Sequence, residues 1–426
     1  MTLSELKIKV ANLWKECVPG ENDAFIKLML DNYLVPEFAA CNFNGSQLIS
    51  FALGIPFCFG NGEKSLKGMC IPIHFSSEKF RHRGEISRLI DDLNHRAKSA
   101  GFAFSFVMPV RNGLERFYRK RGFVNGFFKV IDNYTSVHNF NMEFDSFMAE
   151  QKEKVAILKR RFYDTLEVEK LSETADRNSA IDNIISFVTS LESTQSDLRI
   201  LHSPRDLRTA ILANEMKKGE VIFVHNNEAE ITGVAFCVPY DRAVVVVKKI
   251  FVSDAISKLK LLDGIKKSYP DLAMEVNVPT SDMDRKAVWS RAFGSALPEA
   301  PAAGAISISE CVYSLAAHAK MIGMVRILDL SEILKFMAAD RHDLKYSILV
   351  KEDSEGFIGY FKVAKGKLSV EEISPDQFNS LPESVKGEVM SLEDVAEIIF
   401  RRRDGDNLIT EAFGIPSINA TAALLF

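Results

Sequence analysis

Cysteine is scarce and scattered. Six occur in 426 residues (Cys17, Cys41, Cys58, Cys70, Cys237 and Cys311), and no two form a C-x-x-C pair. That spacing argues against a zinc site or a disulfide framework, and buried free thiols in a reducing cytoplasm account for it. The eight histidines show neither H-E-x-x-H nor H-x-H spacing, so nothing supports a catalytic metal. No apolar run approaches the ~20 residues of a membrane span. The N-terminal MTLSELKIKVANLWKEC is amphipathic and interrupted by charges, unlike a signal peptide. A net charge of -4 gives no global pull toward nucleic acid or a membrane, so any anion site must be local. The expected setting is cytoplasmic.

What is present is an ordinary globular composition. Hydrophobic residues make up 47% and charged residues 26%, which excludes wholesale disorder, and the length predicts two or three domains. SELKIKVANLWKEC and NDAFIKLMLDNYL read as helices, the second capped by Asn22 or Asp23. The NFNG turn signal predicts a hairpin, and LKGMCIPIHFSS a third strand. ISRLIDDLNHRAKSAG places Ile86, Leu89, Ile90 and Leu93 on one helical face and stops at Gly101. FAFSFVMPV follows as a buried strand, its Phe102, Phe104 and Phe106 alternating into a core. RNGLERFYRKRGFVNGFFKVIDNYTSV predicts a short helix and a last hairpin.

The order then recurs: GEVIFVHNNEAEITGVAFCVPY (hairpin), RAVVVVKKIFVS (strand), AISKLKLLDGIKKSYP (helix) and LAMEVNVP (strand). Pro109 and Pro279 end corresponding strands 170 positions apart, which suggests two copies of one supersecondary plan. FGSALPEAPAAGAISI reads as a linker. Beyond it come MVRILDLSEILKFMA (strand and helix), a meander with DSEG and KGK turns, and SLEDVAEIIFRRRD, a helix capped by Ser391 and Asp394. A smaller α+β domain of about a hundred residues fits this stretch.

One segment concentrates charge. EKFRHRGEISRL sets Arg81, His82, Arg83 and Arg88 around Gly84 at the start of a helix. Between Glu78 and Gly122 eleven lysines or arginines face five acids. A helix N-terminus exposes backbone N–H groups carrying about half a positive charge, and a glycine there admits a ligand close to the backbone. The segment is neither a Walker A loop nor a dinucleotide fingerprint. A solvated basic helix start is the plain alternative; a short patch among core elements favours a phosphorylated small ligand over nucleic acid.

Arg81-x-x-Gly84 after a strand, a glycine-ended helix, a strand ending in proline and then LERFYRKRGF resembles the GNAT superfamily of acetyl-CoA-dependent N-acetyltransferases. Phe117, Tyr118, Lys120, Gly122 and Phe123 match its F-Y-x-K-x-G-F segment; Ile86 stands where the superfamily usually has Gly or Ala. The domain order resembles the enhanced intracellular survival family within it. That family often has R-R-R-G followed by two bulky residues, so Arg81-His82-Arg83-Gly84-Glu85-Ile86 departs less from it than from the superfamily at large. The resemblance implies an α+β fold with mixed sheets: a catalytic GNAT domain at 1–142, a degenerate GNAT-like domain at 143–312, and a sterol-carrier-like domain at 313–426. In the second copy IFVSDAISKLK lacks the arginine-glycine loop and Trp289 stands in the place of Tyr118, so that copy is expected to hold no cofactor.

The resemblance implies acetyl-CoA as co-substrate, with Arg81, His82, Arg83, Gly84, Glu85 and Ile86 around its pyrophosphate. His74 and Ser76 lie where GNAT backbones meet the pantetheine. Asn112 stands one position from the usual GNAT asparagine, and capping the short helix is an equal reading. Tyr118 is expected to protonate the departing thiolate. The base is expected to be the Phe426 carboxylate, entering the first domain with its apolar tail, where desolvation would raise its pKa. Glu16, Glu21 and Asp23 are alternative acids. The acceptor would be a small primary amine, polyamine- or aminoglycoside-like, and the family implies a homo-oligomer; no nucleic acid, membrane or metal is expected. Two other readings compete: a non-catalytic ligand-binding or scaffold protein with a drifted fold, and an acyltransferase with another donor.

Overall fold

Local chemistry sets the first two helices. α1 (Leu3–Cys17) opens on a reciprocal cap: the Thr2 side chain accepts from the Glu5 N–H and the Glu5 side chain from the Thr2 N–H. It buries Leu6, Val10, Leu13 and Trp14. α2 (Asp23–Tyr33) is capped by Asn22, which accepts from the Ala24 N–H. The computed structural model describes residues 1–426 except 61–63, 110–112, 150–152, 195–198, 242, 280–319, 340–344, 353–356, 381–388 and 401–426. It divides into two units: Met1–Phe128 with Ser196–Leu201 and the stretch from Met321, and Lys129–Gln195 with His202–Lys320.

In the first unit, β1 (Ala39–Asn44) and β2 (Gln47–Gly60) form the expected hairpin, closed at Gly45 with φ 59°. β3 (Ser65–Ser76) pairs antiparallel with β2 from Gly60↔Ser65 to Ser50↔Ser76. The chain crosses over through α3 (Glu85–Ser99) to β4 (Phe104–Val107), parallel to β3. α4 (Leu114–Arg119) leads to β5 (Val124–Tyr134). Alternation along the strands divides the packing. Phe51 and Phe75, cross-strand partners, lie ring to ring, and Phe75 meets Trp14 of α1. On the opposite face Ala52 and Met69 join Leu89, Ile90 and Leu93 of α3 and Tyr118 of α4 in one buried cluster. Phe104 and Phe106 are fully buried, ring against ring with Phe59.

The second unit repeats the plan. It begins with α5 (Phe140–Ala149), α6 (Glu153–Thr165), β6 (Glu167–Lys170) and α7 (Arg177–Thr194); the short β7 (Arg199–Leu201) that follows belongs to the first unit, where it pairs with β2. Then come α8 (Pro204–Met216), the β8 (Glu220–His225) and β9 (Ile231–Tyr240) hairpin, β10 (Val244–Val252), α9 (Ala255–Ser268) and β11 (Ala273–Pro279). β8–β9 and β9–β10 are antiparallel and β10–β11 parallel, the same three relations as β1–β2, β2–β3 and β3–β4. The recurrence of element order is therefore a recurrence of topology.

The rest of the described chain belongs to the first unit. β12 (Lys320–Ile327) pairs antiparallel with β4 and stands between it and β5 in the strand order. α10 (Leu330–Ala338) follows, and β13 (Lys345–Glu352), β14 (Phe357–Ala364), β15 (Lys367–Ile373) and, after α11 (Pro375–Ser380), β16 (Val389–Ser391) form a four-stranded sheet in the order β15-β14-β13-β16. α12 (Leu392–Phe400) begins at Ser391, reciprocally bonded with Asp394 as its sequence implies, and sets Phe400 against Phe104.

One expectation fails. No hairpin closes the first repeat: β5 runs unbroken through Asn125-Gly126. Gly126 there serves close approach instead of a turn, since a Cβ would lie 2.5 Å from Cγ1 of Val325 on β12. Gly126→Ala is expected to destabilise the protein by about 1–3 kcal/mol, read as a lower denaturant midpoint with an unchanged slope.

Candidate active site

The basic segment builds an uncapped helix start. After a short turn at Glu78–Phe80, His82 (φ 63°) and Gly84 (φ 81°) take left-handed conformations that swing the chain into α3. For His82 that conformation is unusual; for Gly84 it carries no Cβ penalty. Gly84 is the N-cap, and no described side chain caps α3. The first backbone bond of the helix runs from the Arg88 N–H to the Gly84 carbonyl, so the amides before Arg88 lie ahead of the internal ladder. Arg81, His82, Arg83 and Gly84 are all exposed. Arg81 Nε donates to the Ser76 carbonyl at 3.4 Å, and the Arg83 guanidinium lies 5.0 Å from the Phe80 ring centroid. Glu85 turns aside to accept from Asn42 Nδ2. Ile86 packs into the cluster beneath α3, so its bulk is directed inward.

Beside this start the sheet opens. β3 and β4 pair only from Gly68↔Phe104 to Cys70↔Phe106, yet β3 continues to Ser76. β4 is engaged on its other side by β12. Residues 71–76 therefore present one strand edge, about 20 Å long at 3.3 Å per residue, with no strand partner among the described residues. Unpaired edge groups can bond an extended ligand bearing amides. Of the residues expected here, Ser76 is occupied within the protein: its Oγ lies 2.7 Å from Ser50 Oγ, and its carbonyl accepts from Arg81 and from Cys17 Sγ.

His74 does something the sequence did not suggest. Its Nε2 lies 2.6 Å from the Tyr118 hydroxyl, across 44 positions of chain. Cross-strand register puts His74 opposite Ala52, on the face that receives α4. Tyr118 is fully buried and its ring packs edge-on to Phe117 and Phe123. Burial pushes the Tyr118 phenol well above its ordinary value; the Cys70 thiol adds to this and Arg121 opposes it. Arg121 stacks 3.6 Å from the Phe117 ring centroid and donates to the Phe117 carbonyl and to Ser87 Oγ, tying α4 to α3.

Burial also pushes the His74 imidazole down to about 4, with the Ile71 backbone pulling the other way. A histidine in the unfolded chain titrates near ~6.5, so on acidification the unfolded state takes up this proton before the folded state does. The stability that His74 contributes is complete above that pH and falls as pH drops from there toward 4. His74→Gln is expected to flatten this acid slope in melting temperature. An equal slope in the variant would clear His74 of the effect.

The alternative acids are engaged. Glu16 accepts from Ser77 Oγ at 2.5 Å, Asp23 pairs with Lys15 at 2.8 Å, and Glu21 accepts from the Asn22 N–H. Asn112, Phe426 and Trp289 lie outside the described residues, as does the 293–308 stretch read as a linker. Among the described residues no group of His, Cys, Asp or Glu is arranged to hold a metal ion, and no helix is long and apolar enough to cross a membrane.

The corresponding place in the second unit is closed. Asp254 caps α9 with its carboxylate, accepting from the Ile256 and Ser257 N–H groups and from Ser257 Oγ. An acidic cap fills the positions an anionic ligand would take and repels it by charge.

No family model matches the sequence, and no curated protein matches it. Solved structures do match. A conserved protein of unknown function from Enterococcus faecalis V583, a probable N-acyltransferase, aligns with TM-score 0.64 at 12% identity over 97% of this chain and 95% of that one. A GCN5-related N-acetyltransferase from Anabaena variabilis aligns with TM-score 0.60 at 12% identity, over 96% and 91%. Eis1 from Mycobacterium abscessus aligns with TM-score 0.58 at 9% identity, over 97% and 91%. The chain thus has the fold of the GCN5-related N-acetyltransferases.

Proposed function

We propose that the first unit is an acetyl-CoA-dependent N-acetyltransferase acting on a primary amine of a small, polyamine- or aminoglycoside-like acceptor. The observation that carries this is the uncapped start of α3 at Gly84 adjoining the free edge of β3, with Tyr118 behind that edge. The helix amides, Arg81 and Arg83 would hold the pyrophosphate, and the edge from Ile71 to Phe75 would orient the pantetheine amides. The donor supplies the activated thioester. A neutral amine forms the new C–N bond as the C–S bond breaks; the thiolate takes a proton, for which Tyr118 Oη is the candidate donor, and the surplus proton on the new amide nitrogen passes to solvent, from which the phenolate is reprotonated. With His74 as the Nε2–H tautomer, the phenol proton is free to leave and the imidazole N–H stabilises the resulting phenolate. The second unit, with Asp254 over its helix start, is a structural copy. Incubation with labelled acetyl-CoA and a panel of amines tests the reading; no label transfer and no CoA binding at millimolar concentration would end it.

A second reading has its own observation. A fully buried tyrosine with its hydroxyl bonded and its pKa raised is what packing alone produces, and a raised pKa makes a weaker acid. A non-catalytic, CoA-binding or scaffold protein would retain cofactor affinity without transfer.

A further inference from the structure

A cavity of about 580 Å³ lies against the second half of α3, between it, the turn after α4 and β12. Lys98, Lys120, Arg121 and Arg326 line it, four basic side chains against the carboxylates of Asp91 and Glu393. Asp91 is already answered by Arg326 at 3.2 Å. In the same wall Asn94 is 4% exposed, and among the described residues neither its side-chain nitrogen nor its oxygen has a partner. Arg121 Nε is buried and, among the described residues, unpartnered as well. Unsatisfied groups of this kind cost about 1–3 kcal/mol each, and two of the three are donors.

This cavity is separate from the helix start. Asn94 stands nine residues along α3 from Glu85, about 13 Å at 1.5 Å per residue. Arg326 is paired with Ser105 near the beginning of β4, whereas β3 and β4 part at the far end. We propose that the cavity is a second anion site, taking a small polyanion, a phosphorylated or polycarboxylic metabolite. Asn94 Nδ2 and Arg121 Nε donate to it, and the surrounding cations balance its charge. Because Lys120–Gly122 is the turn that directly follows α4, which carries Tyr118, an occupant braces the end of that helix.

The test is calorimetric titration of the full chain with inorganic pyrophosphate and, separately, with citrate, each with and without saturating CoA. Binding that persists with CoA and in Arg83→Ala, and weakens about tenfold or more in Arg326→Gln and in Asn94→Leu, is the expected result; a charge-assisted bond is worth about that factor. Preference between the two anions assigns the phosphorylated or the polycarboxylic class. Asn94→Leu removes an unsatisfied amide, so it is expected to melt no lower than the parent, and its loss of affinity would not reflect unfolding. No heat with either anion at millimolar concentration overturns the proposal. So does binding that CoA displaces or that Arg83→Ala abolishes, which would place the anion at Gly84. The Arg83→Ala arm separates the two sites even if CoA does not bind.

Discussion

Tyr118→Phe is expected to lower turnover by about 10²–10⁴-fold while leaving CoA affinity nearly unchanged. The substitution removes one oxygen from a side chain that is otherwise held by Phe117 and Phe123, so the ring should stay in place. It also strips His74 Nε2 of its bond to the phenol, and a buried imidazole nitrogen without a partner costs about 1–3 kcal/mol. Activity and stability should therefore fall together but by different mechanisms. His74→Gln separates them, since it keeps a hydrogen-bonding group near the phenol and alters the pH profile of turnover rather than abolishing it. Turnover unchanged in Tyr118→Phe would remove the phenol from the chemistry and leave it a packing residue.

The second large effect is expected at the loop. Replacing Arg81 and Arg83 together with alanine should weaken CoA binding by about 10²-fold, taking two charge-assisted contacts at the low end of 1.5–3 kcal/mol each because both side chains are exposed. Affinity of the parent should fall with added salt, and less steeply in the double variant. Gly84→Ala acts through the backbone: a Cβ there meets nothing within 4 Å, but at φ 81° it strains the turn by about 1–2 kcal/mol. Equilibrium binding over an ionic-strength series reads both. Equal affinity in parent and double variant would move the anion seat elsewhere.

Much of this site is legible in the sequence because it is local. The glycine that starts α3 and the one that ends it, the Asn22 cap, the turn at Gly45 and the reciprocal cap at Ser391 each depend on neighbours within a few positions. The repeat is legible for the same reason, since element order is written along the chain. Asp254 belongs here too: an aspartate just ahead of a helix is a readable sign that the second anion seat is filled.

What escapes such reading depends on distant partners. Asn125-Gly126 has the composition of a turn, yet β12, two hundred positions later, needs room beside it, and pairing holds β5 straight. His74 and Tyr118 carry no mutual signal; they meet because alternation sends His74 to the face on which α4 lands. The cavity beside Asn94 exists only once β12 and α12 close over the flank of α3.

By itself, then, the order of residues determined where α1, α2, α3, α9 and α12 lie, the shared element order of the two repeats, and that positive charge gathers at one glycine ahead of a helix. Tertiary structure alone decided which edge stays unpaired, what the buried phenol bonds to, and where a second basic hollow forms. The reason is range: caps and turns are settled by contacts a few residues apart, whereas edges, buried partners and cavities arise from segments that meet only in the folded chain.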